Sequence, residues 1–145
     1  MQTRRMDDAG GVETWVIILE TGDEAMECLK RFAVQQQLDS ASFKAIGAFE
    51  RATLAYFDWD KKEYLPIPVA EQTEVAAFTG DIVLGPDGET VVHVHVVLGR
   101  RDGSAMAGHL QEGYVRPTLE IVLTETPGTL RKQMDAASGL PLIRP

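Results

Sequence analysis

VVHVHVVLGRRDGSAMAGHLQEG, residues 91–113, contains all three histidines of the 145-residue chain. From Val91 to Leu98 every residue except the two histidines is Val or Leu, an aliphatic, β-branched run that reads as a buried strand. Side chains alternate along a strand, so His93 and His95 share one face, roughly 6.6 to 7 Å apart along the backbone. Val92, Val94, Val96 and Leu98 take the other face. Gly99-Arg100-Arg101-Asp102-Gly103 carries Asp-Gly turn chemistry and predicts a reversal into a second strand running from near Ser104 to His109. In an antiparallel pair the index sum of facing residues is constant. A sum of 202 or 204 sets His109 opposite His93 or His95, whereas an odd sum sets it opposite Val94 on the wrong face.

Working outward, Gly85-Pro86-Asp87-Gly88 between Gly80–Leu84 and Thr90–Leu98 predicts the hairpin that delivers the histidine strand. Glu71–Thr79 has strand character, and Pro66 and Pro68 confine Glu63–Ile67 to a sheet edge or a loop. Two strands are expected at Phe43–Phe49 and Ala52–Phe57, with Gly47 marking a bulge or a close backbone approach. Nearer the start, Trp15–Leu19 reads as a strand and Asp23–Gln37 as a helix capped by Thr21 or Asp23. Ala25, Met26, Leu29, Phe32 and Ala33 form its apolar stripe. Cys28, the only cysteine, sits beside that stripe and reads as a small buried hydrophobe. After the histidines comes a last strand, Thr118–Thr124, ended by Pro127-Gly128. Thr129–Met134 suggests a helical turn, and Gly139, Pro141 and Pro145 a loop-like tail. The expected organisation is a loose leader over 1–11, one domain over 12–126 and a tail over 127–145.

A chain of this length buries about 68–70% of its unfolded surface in one core. It has 22 acidic and 14 basic residues, a formal charge of −8, which repels phosphate backbones and disfavours direct nucleic-acid binding. One cysteine excludes an intrachain disulfide and fits a reducing compartment. No run reaches membrane-spanning length and the first residues lack a signal-peptide core, so the expected location is cytoplasmic.

Three imidazoles on one face, two of them two residues apart and the third returned by a hairpin, suit a divalent ion: zinc first, with nickel or iron as alternatives. Three protein ligands leave one position open for water or substrate. Glu112 and Glu120 are the candidates for a fourth ligand, an acceptor for an imidazole N–H, or a general base. Arg100, Arg101 and Arg116 could attract an anionic ligand or pair with acidic groups of a neighbouring subunit. The alternative is a trio of packed histidines that only orient strands. Phosphate-loop, nucleophile-elbow and Cys-x-x-Cys motifs are absent from the sequence.

The ordered set of Ala45-Ile46-Gly47-Ala48-Phe49, Tyr56-Phe57-Asp58, Gly80-Asp81-Ile82, His93-Val94-His95, Gly108-His109-Leu110 and Leu119-Glu120-Ile121-Val122-Leu123 resembles the PPC domain. This plant-and-prokaryote conserved domain occurs in plant AT-hook proteins and in stand-alone prokaryotic proteins. The resemblance implies an α/β (α+β) fold: one domain, a largely antiparallel, curved mixed sheet and a packed helix, assembled as a homotrimer. It also implies a metal at His93, His95 and His109, since bacterial members resemble this pattern, as does the His-x-His…His zinc site of acetolactate decarboxylases. The functions implied are a ligand-binding or regulatory module, a zinc-dependent lyase or hydrolase acting on a small oxygenated substrate, or a DNA-associated regulator. The chain lacks the Arg-Gly-Arg-Pro arm with which the plant proteins grip DNA. Gly47-Ala48-Phe49-Glu50-Arg51-Ala52 also lacks the arginine of the plant partner-binding motif.

Overall fold

In the computed structural model, which describes residues 1–6 and 10–144, the chain forms ten elements. They are β1 (Gln2–Met6), β2 (Glu13–Glu20), α1 (Ala25–Gln36), β3 (Ser40–Asp58), β4 (Glu63–Val69), β5 (Thr73–Leu84), β6 (Thr90–Gly99), β7 (Ala105–Glu125), β8 (Lys132–Met134) and β9 (Pro141–Ile143). The first seven strands make one sheet in the order β1-β2-β7-β6-β5-β3-β4, and every ladder in it is antiparallel. Because β7 also pairs with β3, the ring β7-β6-β5-β3 closes on itself, which is the curvature expected of the sheet. Closure satisfies backbone groups that an open edge would leave unpaired.

The two longest strands make this closure possible. Residues 43–49 and 52–57, expected as separate strands, belong to the single 19-residue β3. Its first half pairs with β5 and its second with β4, while β7 runs along both. Gly47 marks a bulge that shifts the register with both β5 and β7, with φ at 156°, and a Cβ there would overlap the Thr118 carbonyl. β7 likewise unites the strand ending at His109 with the one beginning at Thr118. Its residues 105–109 pair with β6 and its residues 118–125 with β2.

Helix α1 packs on β6 and β7 with Ala25, Cys28, Leu29, Phe32 and Ala33 buried, as the apolar stripe requires. Phe32 meets Trp15 edge-on at 5.3 Å between ring centroids. Full burial of side chains such as Phe32, Phe49, Phe78 and Leu98 contributes about 1.5–3 kcal/mol each, making this core the dominant stabilising layer. Cys28 belongs to it, and burial pushes its thiol pKa up. The cap is Glu24, neither Thr21 nor Asp23. Its carboxylate accepts from the backbone N–H of Met26 (3.2 Å) and Glu27 (2.7 Å). Asp23 is occupied by the Met1 amino group, 2.9 Å away.

Gln2–Met6, expected as part of a loose leader, forms an edge strand instead, in register from Gln2↔Ile18 to Met6↔Thr14. All five residues are exposed, so the polar composition that suggested a leader also suits a solvated edge. Residues 7–9 of that leader lie outside the described residues. The expected helical turn over 129–134 is replaced by β8, which pairs with β9. This small sheet is held by Asp135, whose carboxylate accepts from Ser138 N (2.9 Å), Ser138 Oγ (2.8 Å) and Arg144 Nη2 (2.9 Å). Leu84 N donates to Leu130 O at 3.0 Å and ties the tail to the end of β5.

Candidate metal centre

The β6–β7 register pairs His95 with His109, an index sum of 204 and one of the two values that bring the third histidine to the correct face. Val94, Val96 and Leu98 are buried in the core, so the alternation turns His93 and His95 away from it. Gly108 allows β7 to approach β3 here: a Cβ on it would sit 2.9 Å from the Ala55 carbonyl. The result is one cluster. One ligand nitrogen from each of His93, His95 and His109 lies within 4.8 Å of the others, and the ring centroids are 5.0, 5.0 and 5.7 Å apart.

Two further elements hold the rings. Asp81 on β5 is the register partner of His93, and its Oδ2 lies 3.5 Å from His93 Nδ1, leaving Nε2 of that ring free for another partner. Tyr64 on β4 lies against His109 at 4.7 Å between ring centroids and 31° between planes. Asp81 Oδ1 is buried and without a hydrogen bond, its nearest cation being the Lys132 ammonium at 3.5 Å. Burial raises the Asp81 pKa, but the His93 hydrogen bond and the charge of Lys132 outweigh it, leaving the carboxyl below its usual range. Burial, reinforced by the neighbouring imidazoles and Lys132, brings the His109 pKa down to about 4. Burial and His93 lower that of His95 as well. Both rings therefore keep a free lone pair at neutral pH, the form that binds metal.

These residues fit a divalent cation. His109 Nδ1 is buried without any hydrogen-bond partner, a cost a bound ion would remove. In a tetrahedral site with metal–nitrogen bonds near 2.0–2.1 Å, ligand nitrogens are about 3.3 Å apart, so small ring rotations would close the present spacing. A carboxylate on the distal nitrogen of a ligand imidazole, as Asp81 is on His93, fixes its tautomer and orientation.

The structure brings the three histidines together but does not bring Glu112 or Glu120 to them. Glu112 accepts a hydrogen bond from Thr53 Oγ1 (2.8 Å) and lines a different cavity, with Glu24, Met26 and Lys30. Glu120 faces Ile18 and Ile46 across its ladders and lines a groove with Lys44 and Phe78. Arg100 is paired with Glu71 (2.7 Å) and Arg116 with Glu50 (3.5 Å), while Arg101 is exposed at the hairpin tip. Asp81, Lys132 and Tyr64 are the neighbours that sequence reasoning missed. For Asp81 a signal existed: aspartate is disfavoured inside strands, and this one stands two residues before Val83-Leu84 in an otherwise apolar run. Lys132, in a segment expected to be a helical turn, gave none.

The sequence profile of the Plants and Prokaryotes Conserved (PCC) domain matches residues 6–127. Among solved structures, a plant- and prokaryote-conserved protein of Pyrococcus horikoshii superposes with a TM-score of 0.85 at 29% identity, covering 99% of this chain and 95% of its own. A protein of Archaeoglobus fulgidus described as metal-containing gives 0.82 at 27% identity, covering 91% and 93%. A protein of Bacteroides thetaiotaomicron, provisionally named as DNA-binding, gives 0.85 at 25% identity, covering 98% and 96%. A Staphylococcus aureus protein similar to α-acetolactate decarboxylase shares only the fold, with a TM-score of 0.53 and 11% identity over 77% of this chain and 52% of its own. No curated protein sequence matches the chain significantly.

Proposed function

This chain belongs to the Plants and Prokaryotes Conserved domain family, and we propose that it is a homotrimeric metal-binding module. In this reading His93, His95 and His109 hold one divalent ion per chain, zinc before nickel or iron. The observation that carries it is the convergence of three imidazole nitrogens within 4.8 Å, from two strands of a single chain. The metal-containing relative from Archaeoglobus fulgidus adds support. Three ligands leave a coordination position open, and a cavity of about 440 Å³ adjoins the triad, so the site suits reversible binding of a small molecule. The role is ligand binding or regulation. The same open position favours a second reading, a zinc-dependent enzyme on a small oxygenated substrate, in which the ion supplies charge to polarise a carbonyl or activate water.

The trimer is supported by exposed apolar residues on the outer face of β3 and β7, where Ile46 is 64% and Val122 41% exposed. Direct DNA binding is disfavoured by the charge of −8. Among the described residues no helix is long and apolar enough to cross a membrane.

Elemental analysis of protein purified without an affinity tag tests the metal reading. One ion per chain is expected, lost in His93→Ala and in His109→Ala; metal far below stoichiometry in the wild type overturns it. Light scattering should return three times the chain mass of 15.9 kDa. A monomer would overturn the assembly. Turnover of small oxygenated substrates by the metal-loaded protein separates enzyme from binding module.

A further inference from the structure

The cavity beside the triad has two unlike walls. One carries His93, His109 and Asp81; the other comes from the C-terminal segment, with Lys132 from β8 and the apolar run Leu140–Ile143 that includes β9. This second wall lies beyond residue 127, where the match to the family profile ends.

Lys132 is unusual for its type. It is only 6% exposed, and lysine is almost never buried without a partner. Its partner is Asp81, which also serves His93. Asp81 and Lys132 form an ion pair and cancel, and an imidazole binds a metal only as the neutral ring, so the three histidines add no charge of their own. A divalent ion on the triad therefore leaves the cavity cationic, inside a chain whose net charge is −8. In a partly dry cavity such an excess is lowered by an anion. The opposite wall offers aliphatic carbon from the run Leu140–Ile143, while Val91 and Val92 of β6 and Tyr64 of β4 complete the lining.

From this juxtaposition we propose that the cavity takes a small aliphatic monocarboxylate, with its carboxylate between the metal's open position and the Lys132 ammonium and its carbon tail against the Leu140–Ile143 wall. The proposal rests on the metal reading of the triad and deepens it by naming the ligand class. A volume of about 440 Å³ admits a ligand of a few carbons. The tail segment then sets specificity, and Lys132 positions the ligand.

The test uses the full chain loaded with cobalt(II), whose visible spectrum reports the coordination sphere, titrated with acetate, butyrate, butyramide and inorganic phosphate. Butyrate should perturb the spectrum and bind more tightly than acetate, by about fourfold for each added methylene that reaches the apolar wall. Butyramide should leave the spectrum unchanged. Lys132→Met should retain one cobalt per chain and weaken butyrate at least tenfold, with partial rescue in Lys132→Arg. Leu142→Ala, which removes apolar carbon from the wall without adding charge, should weaken butyrate more than acetate. Equal affinities for acetate and butyrate, phosphate binding as tightly as butyrate, or butyrate affinity unchanged in Lys132→Met and in the Leu142 variant would overturn the carboxylate proposal while leaving the metal site standing. Failure of the wild type to load cobalt would overturn the metal reading, and this proposal with it.

Discussion

Asp81 stands directly opposite His93 in the β5–β6 ladder, and its Oδ2 lies 3.5 Å from His93 Nδ1. Backbone pairing thus places a carboxylate behind an imidazole of the histidine cluster without depending on a loop. Its other oxygen faces Lys132, so one residue joins the sheet, the triad and the C-terminal segment.

Replacing Asp81 with Asn removes the charge that orients His93 and leaves the buried Lys132 ammonium unpaired. Metal affinity should fall by about 10- to 100-fold, the usual cost of losing such an outer partner. Competition against a chromophoric chelator measures it. Unchanged affinity would mean that the ladder alone orients His93.

Glu24 joins two elements. Besides capping α1, its Oε1 accepts from Gly113 N on β7 at 2.7 Å, and Gly113 is buried. Glu24→Ala therefore uncaps the helix and strands a buried donor. We expect a loss of about 2–3 kcal/mol in denaturant unfolding, more than a cap alone would give. Glu24→Gln keeps an acceptor oxygen and should recover over half of it.

Gly47 tests the closure of the sheet. A Cβ would overlap the Thr118 carbonyl, which is backbone and cannot rotate away, and φ of 156° is poorly suited to other residues. Gly47→Ala should cost at least about 2 kcal/mol, whereas Gly103→Ala, with open space around it and only the backbone strain of φ at 84° to bear, should cost about 1 kcal/mol. A melting series of the two variants decides it.

The histidine cluster was legible in the sequence because it depends on parity. Strand alternation fixes His93 and His95 on one face, and the Asp102-Gly103 turn permits only a few registers, of which 204 is realised. The apolar stripe of α1 was legible for the same reason, periodicity. The merging of segments into β3 and β7 was not, because Gly47 interrupts the pattern locally while the pairing that carries the strand through it is long-range. Glu24 was overlooked as a cap because Asp23, the better capping type, is drawn off by the Met1 amine. Lys132 reaches the site through the β8–β9 pairing and the Leu84–Arg131 bridge to β5, and three-residue strands are too short to leave a period.

The far end of the sheet offers a pH test away from the triad. Glu13 and Glu125 are register partners on β2 and β7, two like charges facing across a ladder. Burial, then the charges of Glu13 and Asp39, raise the Glu125 pKa, with Arg5 on β1 opposing them. A carboxyl whose folded pKa is raised destabilises the fold where it is ionised. The penalty is absent below the unfolded pKa, grows as pH rises through the interval between the two values, and is complete above the folded one. Glu125→Gln should therefore stabilise the protein at pH 7 by less than about 1 kcal/mol, since the site is partly solvated. The gain should vanish below the normal glutamate range and shrink in high salt. Thermal melts of wild type and variant at pH 3.5, 5.5 and 7 give the comparison. A gain that does not change with pH would assign the effect to packing and refute the electrostatic account.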